Sequence, residues 1–193
     1  MLTRIDDLLN KIKALESELV DELQKQHEEF LYQIHQRRVY FEERIVLQHQ
    51  QHVVRLFSYI IHAPLKHILT APFIWACLMP ALALDITVSL YQAVCFPVYG
   101  IPKVRRQDYL VFDRQYLNYL NLIEKLNCAF CSYFNGLIAY IQEIGARTEQ
   151  FWCPIKHAQR LKNLHSRYYK FVDFGDAEAY RNKLSQVRKD FIE

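Results

Sequence analysis

Between Ile68 and Tyr99 the chain carries a single charged side chain, Asp85, and no lysine or arginine. The part from Phe73 to Phe96 is 24 residues long, and a helix needs about 20 to cross the roughly 30 Å hydrocarbon layer of a bilayer. Few folds accommodate such a run. It spans a membrane, re-enters one as a shallow hairpin turning at Pro80 to Asp85, or forms the buried central helix of a soluble bundle. Its flanks are basic, with Arg55 and Lys66 before it and Lys103, Arg105, Arg106 and Arg114 after it. For a single span, the heavier C-terminal flank puts the second half of the chain in the cytoplasm and the N-terminal helix outside.

A carboxylate near the middle of a span costs a few kcal/mol and needs company. Cys77, Ala81, Asp85, Ser89 and Gln92 recur at helical steps of four, four, four and three. They make a small and polar stripe, with Asp85, Ser89 and Gln92 as its polar members, that should face another helix. Two uses stay open: a helix–helix contact that holds the carboxyl, or a proton or ion relay.

Only four glycines and six prolines occur, and the apolar periodicities are long, so the class is all-α. Neither glycine nor proline interrupts residues 1–63, where Ile5, Leu8, Ile12, Leu15, Leu19 and Leu23 form an amphipathic seam. One helix of that length would reach on the order of 90 Å, so this arm is a coiled coil or a broken helical hairpin. The seam either packs on the rest of the chain or pairs with a partner protein or a second copy, and the Asp85 face offers a second contact of that kind. The chain thus divides into an arm (1–63), a hydrophobic membrane segment (68–99) and a helical domain (100–193).

Within that last part, Pro97 and Gly100-Ile101-Pro102 end the apolar run. Helical periodicity resumes at Tyr109, Phe112, Tyr116, Leu120 and Ile123, with a break at Asn135-Gly136. Asp176 caps a final helix whose face is Ala177, Tyr180, Leu184, Val187 and Phe191. The net charge of +3, spread without a basic stripe, argues against nucleic acid as a partner. No phosphate loop, dinucleotide fingerprint or nucleophile motif occurs, so the expectation leans away from an enzyme without closing that reading.

The cysteines supply the one candidate metal site. Cys128 and Cys131 form a CxxC pair, and 21 residues later comes Cys153-x3-His157. Two chelating pairs joined by a connecting segment suit a tetrahedral Cys3His centre. Zinc is the expected ion, with iron or an iron–sulfur cluster as the alternative. Cys153 precedes Pro154 and is expected at a helix N-cap, where the dipole favours a thiolate. Four protein ligands would make the site closed and structural. His165 is a reserve ligand on the same expected face as His157. Glu143 and Glu149 belong to an expected exposed loop, and thiols in a CxxC without a disulfide framework fit a reducing compartment.

The words EKLNCxxC, YxNGxIAY and RTEQxWCPIKHA, with DxGD from Asp173, resemble those of a family of uncharacterised bacterial membrane-associated proteins. The resemblance covers about Pro72 to Tyr180 and implies a bacterial origin and a membrane-linked setting, hence the inner membrane. It implies no reaction. The expectation is a membrane-anchored helical scaffold with a structural metal site. The alternatives are a membrane redox or metal-handling enzyme using iron at that site, and a soluble coiled-coil adaptor without metal.

Overall fold

The computed structural model describes residues 2–28, 32–35 and 38–191. Among the described residues the fold is all-α apart from one short hairpin, and the chain divides into two compact units. One comprises residues 1–59 and 113–125; the other comprises 60–112 and 126–193.

In the first unit, helix α1 (Leu2–Glu28) carries the N-terminal seam. Leu8, Ile12, Leu15, Leu19 and Leu23 are all exposed on it, so the seam is not used as core. The chain then departs from the expected arm. Strands β1 (Tyr32–His35) and β2 (Arg38–Phe41) pair antiparallel, with Tyr32 opposite Phe41 and His35 opposite Arg38. Val39 and Phe41 alternate with polar neighbours at the period of two that a half-buried strand requires, a pattern too short to stand out within a long helical seam. Helix α2 (Glu43–Gln51) follows, and the His49 ring sits edge-on to both Phe41 and Tyr119 at 5.0 Å. Helix α3 (Leu56–Ile61) leads out of this unit.

Helices α4 (Leu65–Ala76) and α5 (Leu78–Tyr99) form the apolar run. Pro80 lacks the N–H that would bond the Ala76 carbonyl, which accounts for the interruption at Cys77. Cys77 keeps helical dihedrals, so Leu65–Tyr99 reads as one rod of 35 residues, about 50 Å long. Gly100, at φ 69°, stops it where expected, and the Ile101 N–H returns to the Phe96 carbonyl at 2.8 Å.

Residues 100–121 are not helical beyond short 3-10 turns, despite their aromatic spacing. Ile101, Val104 and Leu110 bury themselves instead, and residues 101–106 double back along α5. Helix α6 (Leu122–Trp152) then runs in the same direction as α5, since Asp85 meets Tyr133, Tyr91 meets Thr148 and Tyr99 stacks on Phe151. A reciprocal capping box starts it: the Glu124 N–H donates to Asn121 Oδ1 at 3.1 Å, and Glu124 Oε2 accepts from the Asn121 N–H at 2.9 Å. Helix α7 (Ala177–Val187) is capped by Asp176, which accepts from the Ala179 N–H, with Val187 buried and Tyr180, Leu184 and Phe191 half-buried.

No break occurs at Asn135-Gly136. Gly136 is buried within α6 because the returning segment crosses it there: an added Cβ would lie 2.5 Å from the Tyr109 carbonyl oxygen. Gly136→Ala is therefore expected to lower stability by about 1–3 kcal/mol through overpacking, despite alanine's better helix propensity. Gly145→Ala, in the same helix but with open space around it, should raise stability by up to about 1 kcal/mol. Paired thermal melts in mild detergent check both.

Candidate functional site

The polarity of the Leu65–Tyr99 rod is inverted relative to a soluble amphipathic helix. On α5 the buried residues are Ala81, Asp85, Gln92 and Phe96, while Met79, Ile86, Leu90, Val94 and Val98 are exposed. On α4 no residue is buried, and Leu65, Leu69, Phe73 and Ile74 all face outward. Among the described residues this is the one helix long and apolar enough to cross a membrane, and only 11% of its most apolar window is buried. The buried central helix of a soluble bundle would be covered on most sides. The pattern here is that of a helix whose polar stripe meets protein and whose apolar surface meets something else.

Cys77, the first residue of the expected stripe, is exposed, whereas its polar members Asp85, Ser89 and Gln92 turn inward and are all hydrogen-bonded. Asp85, 7% exposed, accepts four hydrogen bonds: from Arg106 Nε at 3.1 Å and Nη2 at 2.6 Å, from the Tyr133 hydroxyl at 3.1 Å and from Ser89 at 3.3 Å. A forked guanidinium–carboxylate pair of this kind fixes orientation as well as charge. Ser89 also reaches the Tyr140 hydroxyl at 3.3 Å, and Gln92 Nε2 donates to that same oxygen. The Gln92 amide then pairs with the returning backbone, accepting from the Val104 N–H at 3.0 Å and donating to its carbonyl at 3.3 Å. Its side chain thus acts as one rung of a strand pairing. Burial, and next the Asp85 carboxylate, push the Tyr133 phenol above its ordinary value, so it stays a donor. The hydrogen bond to Asp85 holds Arg106 charged and raises its pKa, against the effect of burial.

A second polar cluster lies further along α6. Glu143 Oε1 accepts from Arg147 Nε at 2.7 Å and from Arg167 Nε at 2.9 Å, and all three side chains are buried. Arg147 also donates to the Pro102 carbonyl, tying α6 to the returning segment. Gln150, completely buried, accepts from Arg167 and donates to the Val187 and Asp190 carbonyls, which holds the C-terminal helix in place. Glu143 and Glu149 are therefore interior to a helix and not on a loop. The steps of four and three between Glu143, Arg147 and Gln150 are helical, but nothing in the sequence pointed to Arg167 as a member of the cluster.

The four expected metal ligands do not come together. Cys128 and Cys131 sit within α6, and Cys153 follows that helix directly, its N–H bonded to the Glu149 carbonyl. One uninterrupted helix between Cys131 and Cys153 separates them by about 30 Å, whereas a zinc–sulfur bond is about 2.3 Å. Among the described residues no group of three or more His, Cys, Asp and Glu side chains gathers into a metal site. Cys153 ends a helix and does not cap the start of one. The chain after it is held by a parallel bridge, with the Lys156 N–H on the Val172 carbonyl and the Val172 N–H on that of Pro154. Residues 153–167 form no helix, so His157 and His165 share no helical face, although both rings pack on Tyr168 and His165 also pairs with Glu149 at 3.1 Å. Cys153→Ser is accordingly expected to leave any metal held at Cys128 and Cys131 unchanged, which elemental analysis of the two proteins checks.

Cys153 instead lines an open apolar cleft of about 410 Å³ between α5 and α6, with Val88, Tyr91, Ile141, Ile144 and Trp152. All five cysteines are free thiols. The fold and site define a helical protein built on an outward-facing apolar rod. No protein-family model matches the chain, and no curated protein or solved structure matches it.

Proposed function

We propose that this protein is a membrane-anchored helical scaffold, held to the bilayer by the outward apolar surface of α4 and α5. The observation that carries the reading is the inverted polarity of that rod: Phe73 is 76% and Ile86 68% exposed, while Asp85 and Gln92 are each 7% exposed. In water such a surface would be costly at about 25 cal/mol per Å², so it needs an apolar cover. Hydrocarbon supplies that cover without specific partners. The free thiols and the resemblance of the cysteine-region words to bacterial membrane-associated proteins support the inner membrane and a cytoplasmic C-terminal half.

The scaffold role rests on α1. Its exposed leucine and isoleucine seam is the surface on which a helix of a partner protein, or of a second copy, would pair. Fractionation of cells tests the anchor. The protein should pellet with membranes, remain there through a high-salt wash and leave only with detergent; recovery in the untreated supernatant would contradict it.

A further inference from the structure

Resting on the membrane reading, we propose a topology for it: the Leu65–Tyr99 rod lies within one leaflet of a phospholipid bilayer and does not cross to the other side. The residues that precede and follow the rod set this limit. Asn121 donates from its amide to the Val54 carbonyl at 3.4 Å, Tyr119 packs edge-on to His49, and strand β2 packs on the turn Arg114–Tyr116. Residues 1–59 and 113–125 form one compact unit. A crossing rod would put these two stretches on opposite faces of the membrane, unless residues 100–112 crossed back.

The charge on residues 100–112 opposes that return. The segment is irregular and carries Lys103, Arg105, Arg106 and Asp108. Much of its backbone is partnered, at Ile101, Val104, Tyr109 and Leu110, but all four of these charged side chains are exposed, and exposed charge at membrane depth costs a few kcal/mol. Nor does the segment leave the rod, since Val104 pairs with Gln92 and Arg106 with Asp85. Whatever depth residues 85–92 of α5 reach, their inward side carries this polar strand with them.

Sideways immersion satisfies both constraints. At 100° per residue, Leu90, Val94 and Val98 lie on the opposite side of α5 from Asp85, Gln92 and Phe96. The apolar side can enter the acyl region while the polar strand and α6 stay toward water, as in interfacial helices. Exposed Lys66 and Lys103, near the two ends of the rod, suit anionic headgroups at that depth.

Sealed right-side-out and inverted vesicles from cells making the full chain test this, using trypsin without detergent and mass spectrometry of the released peptides. The α1 peptides between Lys11 and Lys25 and the α7 peptides between Arg181 and Lys189 should be released together in one vesicle orientation and protected together in the other. Release of one set in each orientation would overturn the single-leaflet topology while leaving membrane anchoring intact. Absence of the protein from both vesicle preparations would overturn the anchoring itself, and the topology with it.

Discussion

Lysine at both Phe73 and Ile86 is expected to release the protein from membranes. Both side chains are largely exposed and on separate helices, and neither contributes to the Asp85 network. Each loses about 1.5–3 kcal/mol of apolar transfer, and the introduced charge costs more at any depth below the headgroups. The combined loss is at least about 3 kcal/mol, which is more than 100-fold in partitioning. Surface changes of this kind leave folding stability within about 0.5 kcal/mol. Vesicle flotation of the double variant should therefore show it in the soluble fraction with an unchanged circular-dichroism spectrum. Flotation equal to that of the parent chain would mean that this surface does not contact lipid.

Glu143→Ala is expected to produce the largest loss of stability of any single substitution considered, about 3–5 kcal/mol. The reason is asymmetric. Removing one carboxylate takes from Arg147 and Arg167 an acceptor that both share, in a site where all three side chains are buried. Breaking a buried ion pair by deleting one member costs far more than the pair's net worth, because desolvated charge remains. With total stabilities of order 5–15 kcal/mol, such a loss leaves little margin. Glu143→Gln keeps one accepting oxygen and the side-chain shape, so it should cost less than the alanine. Thermal unfolding in mild detergent ranks the three proteins; equal midpoints would show that the cluster contributes little to holding α6, the returning segment and Arg167 together.

Several elements were legible because they depend on local chemistry alone. The stripe from Cys77 through Ala81, Asp85, Ser89 and Gln92 could be placed on one helical face from spacing, and the inward direction of all but its exposed Cys77 end followed from the cost of charge in apolar surroundings. The stop at Gly100 and the cap at Asp176 were likewise readable. What failed depended on contacts distant in sequence. The Asn135-Gly136 pair has the composition of a turn, yet the glycine is required by the close approach of the Tyr109 carbonyl from another segment. Cys153-Pro154 looked like a helix start, but proline serves equally well to end a helix that arrives from before it. Together with the unbroken helix through Asn135-Gly136, that reversal keeps the ligand pairs apart, because the 21 residues between Cys131 and Cys153 all belong to helix α6. Arg106 was noted only as a topological charge, and its role as the partner of Asp85 required knowing that residues 100–112 fold back.

The most direct test of the lipid-facing rod uses Trp75, which lies on α4 against Phe130. The chain has two tryptophans, so Trp152→Phe leaves Trp75 as the sole reporter. On addition of anionic vesicles, its emission should shift to the blue and be quenched by lipids brominated on the acyl chain. Emission that stays at its aqueous wavelength, with no quenching at saturating lipid, would contradict the account.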